Sequence, residues 1–228
     1  WTIIFPKHFI DLNVTELFVN TILLVILSSA VLILFAFISN YGNRVTKSKA
    51  LEALTTFSIS GYAIPGIILA VAYITFISWF DDNIMSYFGI NTIKSIFIGS
   101  ILGLVLVYFV RFYSLASNGI KSGYLKINYS IDESSYLLGY SKFKTFTNIH
   151  IPYLKNSIFL IGILISIEII KELPITLIMR PFNFETFATT AYVFASQDLL
   201  EAAAAPSLFL IIIASIFILV TSKYILRD

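Results

Sequence analysis

Cysteine is absent from the 228 residues, so the chain holds no disulfide framework, thiol nucleophile or thiolate metal site. Only two histidines occur, His8 and His150, and their separation argues against a histidine metal centre. Charge is scarce too: 12% of residues are charged, against about 25% in a typical soluble domain. A net charge of +2 is too small and too dispersed to point to nucleic acid. No nucleophile–base pair, phosphate-binding glycine loop or Walker A sequence can be read. The chain is therefore expected to be no enzyme and to carry no cofactor, with any ATP hydrolysis placed on another polypeptide. Internal repeats are missing, and the only low-complexity tract is the short alanine run at 202–205. Trp1 is not preceded by a charged n-region or cleavage site, so no signal peptide is read. The expectation is a piece cut from a longer polypeptide.

What the chain has in abundance is apolar surface. Hydrophobic residues make up 58% and the mean hydropathy is +0.89. Five apolar segments, at 17–38, 59–80, 95–110, 154–173 and 202–222, approach the roughly 20 helical residues needed to cross a bilayer core. The 95–110 segment is short, but Lys94 and Arg111 bracket it and can snorkel to the two interfaces. Closed β-barrels, the other spanning solution, need period-two alternation. Residues 211–220, Ile-Ile-Ile-Ala-Ser-Ile-Phe-Ile-Leu-Val, show none, so the fold class is all-α: a polytopic membrane helical bundle.

Basic residues are distributed unevenly. Placing 39–58, 111–153 and 223–228 on one side gathers Arg44, Lys47, Lys49, Arg111, Lys121, Lys126, Lys142, Lys144, Lys223 and Arg227 there. With Lys155 at the mouth of the fourth span, that side holds 11 of the 15 basic residues. Lys7, Lys94, Lys171 and Arg180 remain opposite. The positive-inside rule then puts 111–153 and the C-terminus in the cytoplasm and Trp1 outside. An odd number of spans starting outside also fits an upstream helix.

The polar, basic loop at 130–153 is patterned. Ser130-Ile-Asp-Glu133 has the form of a capping box, and Asp132 and Glu133 in a first turn suit the positive end of the helix dipole. Gly139 predicts a left-handed turn that ends this short helix. Ser141 then caps a second helix running to about His150, before Pro152 opens the fourth span. Local rules alone thus give a helix, a glycine turn and a helix, and a plain cytoplasmic hairpin satisfies them as well as a docking site does.

The spacing narrows that choice. Glu133 stands six places before Gly139, Ile149 ten after it, and Pro152 three after that. This resembles the E-A-A-x3-G-x9-I-x-L-P loop of permease subunits of ATP-binding-cassette (ABC) importers, with Ser134 and Ser135 for the alanines and Ile151 for the leucine. The resemblance implies a MetI-like permease fold in a single transmembrane domain over 1–228. It implies that Asp132, Glu133, Ser134, Ser135, Gly139, Ile149 and Pro152 meet a cytoplasmic ABC ATPase dimer. It also implies an extracytoplasmic substrate-binding protein, a second permease half, and a bacterial inner membrane as the location. Asn20-Thr21, Ala63-Ile-Pro-Gly66 and Glu172-Leu-Pro174 look like further landmarks of binding-protein-dependent permeases. The stretch from Lys171 to Phe182 is similar to the C-terminal half of fused ferric iron permeases, which makes ferric iron the expected cargo. Related permeases for thiamine, polyamines and phosphonates share much of this sequence.

Three further features carry alternatives. Glu168, Lys171 and Glu172 lie at i, i+3 and i+4, hence on one helix face. Ionisable residues in a span mark a transport path or gate, although a Glu168–Lys171 pair at an interface, with Pro174 ending the helix, explains them equally simply. Pro65-Gly66 is expected to kink the second span, chiefly as structure, leaving a free carbonyl near Gly61 or Ala63 that can line a path. Gly99-Ser-Ile-Leu-Gly103 reads as a GxxxG packing motif, and 182–201 as a polar outside segment, a place for a delivering protein to touch. An ion-driven secondary transporter using Glu168 and Lys171 is the main rival, but it predicts inverted repeats that the sequence lacks. A membrane-embedded enzyme or assembly factor lacks a catalytic constellation.

Overall fold

The computed structural model describes residues 12–46, 48–85, 87 and 96–225. Expectations resting on Trp1, Lys7, His8, Lys47, Lys94 or Arg227 fall outside them. Among the described residues there are helices and no strand. In chain order they are α1 (Val14–Thr46), α2 (Lys49–Ile59), a 3-10 turn (Ser60–Ala63), α3 (Gly66–Phe80) with a π turn (Asp81–Met85), and α4 (Ile101–Tyr124). Then come α5 (Tyr129–Leu137), α6 (Lys142–Thr145), a π turn (Phe146–His150), α7 (Ile151–Ile170), α8 (Pro174–Met179), α9 (Phe187–Ser196) and α10 (Leu200–Ile225). Among the described residues, five stretches are long and apolar enough to cross a membrane: Val14–Thr46, Gly66–Met85, Ile101–Tyr124, Lys142–Ile170 and Leu200–Tyr224.

Four boundaries differ from the sequence expectation, each for a local reason. The expected kinked span at 59–80 is instead broken. Proline lacks an N–H and disfavours α geometry in the residue before it, so Pro65 sits extended (φ −56°, ψ 138°) and helix restarts at Gly66. The third span lies further along the chain than 95–110: α4 runs on to Tyr124 and carries Arg111 in its interior rather than at its end. Gly99 is in a turn at φ +67°, not in a helix. A Cβ on Gly103 would lie 1.7 Å from the Phe97 carbonyl. That pair of glycines therefore closes a turn onto the start of α4. The fourth span does not open at Pro152: α6, the π turn and α7 form one 29-residue helical stretch. The π turn, where Ile151 N–H reaches Phe146 O, loosens the backbone just before the proline.

The chain forms two compact units, and each is taken by itself. One comprises the chain through Ser28, Ile64–Tyr108 and the chain from Ser166. Here α8 packs along α3 and α9 packs on α10. Phe187 is fully buried, stacked on Phe209 with centroids 5.2 Å apart. Half of the segment at 182–201 is this helix, whose first turn, Phe187, Ala188, Thr189 and Thr190, is buried, while 195–200 are exposed. Its start is sewn to α1: Phe187 N–H donates to Thr21 Oγ1 (3.3 Å), and Asn20 Nδ2 donates to the Glu185 carbonyl (3.0 Å).

Ser29–Ala63 and Phe109–Ile165 form the other unit. Close helix approach occurs here at Gly119 and Gly123, a second GxxxG spacing. Added Cβ atoms would meet Ile161 Cγ1 at 2.6 Å and Leu154 Cδ2 at 2.9 Å, so a larger residue at either position would push the facing α7 side chain aside. Polar side chains join α1 to α4: Asn40 Nδ2 donates to Ser117 O and Oγ (both 3.2 Å), and Ser39 Oγ meets Tyr113 OH at 2.5 Å.

Candidate functional site

The patterned loop belongs to the second unit, and its two helices are built largely as local rules require. Asn128 is the N-cap of α5, its side chain accepting from Ser130 N–H (3.2 Å). The expected Ser130–Glu133 capping box is therefore not formed, because the helix begins one residue before Ser130 and the cap falls earlier. At the other end Gly139 takes φ +82°. Gly139 N–H donates to Tyr136 O and Tyr140 N–H to Ser135 O, each at 3.0 Å, a Schellman pair that closes the helix. Ser141 caps α6, accepting from Lys144 N–H at 3.3 Å, as the sequence predicts.

Tertiary contacts fix the inner side of the pair. Asp132 is 7% exposed and divides its carboxylate between two helices. Arg44 Nε of α1 donates to Oδ2 (2.7 Å), and His150 Nε2, just before α7, lies 2.6 Å from Oδ1. The rest of the Arg44 fork donates to Ile127 O (3.0 Å), Asn128 O (3.1 Å) and Tyr124 O (3.4 Å). Its planar head also lies 4.2 Å from the Tyr129 ring centroid. Ser135 Oγ meets Thr145 Oγ1 at 2.8 Å, joining α5 to α6, and Tyr41 OH donates to Lys142 O at 2.6 Å.

The outer side has a different character. Glu133 and Ser134 are exposed, as are Leu137 (89%), Leu138 (78%) and Phe143 (74%). The last three are large apolar side chains on the surface of an otherwise polar loop. Ser134, Ser135, Leu138, Tyr140 and Ile149 share a shallow hollow of about 280 Å3. The structure thus gathers Ser134, Ser135 and Ile149 at one hollow beside Gly139, turns Asp132 inward, and leaves Glu133 and Pro152 exposed.

The second candidate group lies in the other unit and does not form a single face. Lys171 Nζ donates to Glu168 Oε1 (2.7 Å), with Lys171 exposed. Regular helix ends at Ile170, so Glu172 departs from that face and is buried. Its carboxylate accepts from Ile175 N–H (3.1 and 3.2 Å), Thr176 N–H (3.2 Å) and Thr176 Oγ1 (3.1 Å), capping α8. Thr176 Oγ1 also meets Tyr108 OH of α4. Gly66, buried, opens the helix α3 on which α8 packs, and Pro65 is its exposed N-cap.

Sequence patterning does not single out Arg44 or His150: the one counts only as a basic residue, the other only as an isolated histidine. A signal does exist. Asn40, Asn43 and Arg44 at i, i+3 and i+4 put three polar groups on one face at the end of an apolar helix, and such a face needs a partner.

The bundle of spanning-length helices defines a multi-pass membrane protein. Its fold is that of ABC-importer permease chains. The chain superposes with a TM-score of 0.75, at 18% identity, on a chain of the bacterial alginate ABC transporter in complex with alginate pentasaccharide-bound periplasmic protein. The match covers 95% of this chain and 80% of that one. A chain of a bacterial ABC transporter involved in importing the acidic polysaccharide alginate gives 0.71 at 18% identity, covering 97% and 83%. No family model matches the sequence, and no curated protein does.

Proposed function

We propose that this chain is the membrane permease of an ABC importer and that the helix pair at 129–150 docks a cytoplasmic ATPase dimer. One observation carries the reading. The pair is held from within by Asp132, Ser135 and Thr145, while Glu133, Leu137, Leu138 and Phe143 face outward around the Gly139 turn. The fold shared with alginate transporter chains supports the same class. ATP is bound and hydrolysed by the partner ATPase. A second permease half completes the path, and an extracytoplasmic binding protein delivers the cargo. The ATPase cycle biases two arrangements of the spans through the docked pair. Glu168 and Lys171 line or gate the path, with Glu172, Pro65 and Gly66 setting the helix ends around it. The chain resides in a bacterial inner membrane, its N-terminus outside and its C-terminus cytoplasmic, as the 11-to-4 basic asymmetry supports. Ferric iron is the cargo we assign, on the likeness at 171–182. The alginate transporters that share the fold supply the competing cargo, an acidic oligosaccharide.

The test is co-purification followed by uptake. A nucleotide-binding ATPase and an extracytoplasmic binding protein should accompany the chain, and proteoliposomes should take up ferric iron in the presence of ATP. Uptake driven by an ion gradient without ATPase overturns the class, and ATP-driven uptake of alginate oligosaccharide alone overturns the cargo. Cysteines replacing Asp82 or Gln197 should react with an impermeant thiol reagent from outside, and one replacing Lys126 should not.

A further inference from the structure

We propose that Arg44 and His150 are positioning residues that fasten the docking helix α5 to the ends of three spanning stretches, so that all four move as one body. This rests on reading 129–150 as the ATPase dock, and it assigns residues outside that loop's motif to the coupling step. α6 is continuous with α7, but an α5 held only by its chain ends and its contact with α6 would swing about the 125–128 segment and leave α1 and α4 where they are. Here α5 is also anchored by charge. One guanidinium from α1 grips the last carbonyl of α4, two carbonyls of the linker and the α5 carboxylate. The second oxygen of that carboxylate is taken by His150, which is fully buried and lies 5.2 Å from the Tyr41 ring and 5.4 Å from the Tyr124 ring. Pulling α5 away would leave a carboxylate and a guanidinium buried and unpaired, which is strongly disfavoured. A push on the outer face of α5 is therefore passed to α1, α4 and the start of α7. Arginine is required because only its planar fork offers five donors in fixed directions; lysine supplies a point charge.

The test uses the chain with its co-purifying partners in proteoliposomes and compares wild type with Arg44→Lys and His150→Gln. Neither residue reaches the outer face, so ATPase association and basal hydrolysis should stay near wild type. Cargo carried per ATP should fall by about tenfold, within the usual range of coupling between sites. Transport that falls only in step with membrane abundance or with hydrolysis overturns the proposal. Should Arg44→Lys not reach the membrane, His150→Gln, which keeps the Arg44–Asp132 pair, carries the test. A second readout needs no partner. In nanodiscs, amide exchange over 129–137 should quicken in both variants relative to 151–165, and unchanged exchange overturns the clamp. If the wild-type chain recruits no ATPase, the importer reading fails, and the exchange measurement still judges the clamp on its own.

Discussion

Asp132 and Glu172 face the same physical problem, a carboxylate removed from water, and their hydrogen bonds reach over very different ranges of the chain. Both are nearly buried, at 7% and 6% exposure. Glu172 accepts from N–H groups and a hydroxyl three and four residues ahead at the start of α8. Asp132 is satisfied remotely, by Arg44 at a separation of 88 residues and His150 at 18. The hydrogen bonds of Glu172 fix the start of one short helix. Those of Asp132 tie separate helices together, so their loss is felt by several elements at once. Asp132 thus acts as a joint, and Glu172 as a cap on α8.

The largest expected effect follows from removing one side of the joint. Arg44→Ala strands Asp132 with His150 as its remaining charged-type partner, a kind of change that costs about 3–5 kcal/mol. Detergent-solubilised Arg44→Ala should therefore melt at a lower temperature than Glu172→Ala or Gly139→Val. Replacing Glu172 by alanine should cost less, about 1–3 kcal/mol for buried donors left unpaired. Glu172→Gln should recover most of this, since its amide oxygen still accepts, whereas Asp132→Asn should not recover the Arg44 pairing. Equal recovery in the two amide variants would erase the distinction between joint and cap. Gly139→Val places a β-branched residue at φ +82°, a strain of about 1–2 kcal/mol; insertion should be normal, with ATPase co-purification and uptake reduced. Lys171→Met, breaking the pair on the exposed lysine, should change stability by about 0–1 kcal/mol and by less in high salt. Its uptake at normal abundance should still fall if the pair lines the path. Smallest of all, Glu133→Ala should change stability by no more than about 0.5 kcal/mol in thermal melts, because Asn128 and not Ser130–Glu133 caps α5. Asn128→Ala should exceed it at about 1 kcal/mol.

Legibility from sequence follows the same division. Gly139 and Ser141 are readable because a positive φ and a hydroxyl N-cap are properties of one or two residues. The Ser130–Glu133 box fails because two caps compete within three residues, Asn128 and Ser130, and packing of Arg44 against the 127 and 128 carbonyls accompanies the earlier one. The Gly99–Gly103 spacing misleads for a related reason. GxxxG at 119–123 makes the close helix contact, and nothing in four-residue spacing tells which copy faces another helix. Pro65 signals an irregularity, but whether it bends or breaks a helix depends on what the residues before it pack against, and Gly61 lies against the α4 backbone at Val110.

Composition and patterning alone determined that the chain is helical and membrane-spanning, which regions are apolar enough to span, and where the loop turns. Those properties depend on apolar run length and on backbone preferences acting over a few residues. Tertiary structure decided which side of that loop is held and which is free, that Glu172 leaves the face of Glu168 and Lys171, and that Arg44 and His150 meet at Asp132. These depend on which helix faces come together, and residues 88 apart in sequence carry no local mark of being 2.7 Å apart in space.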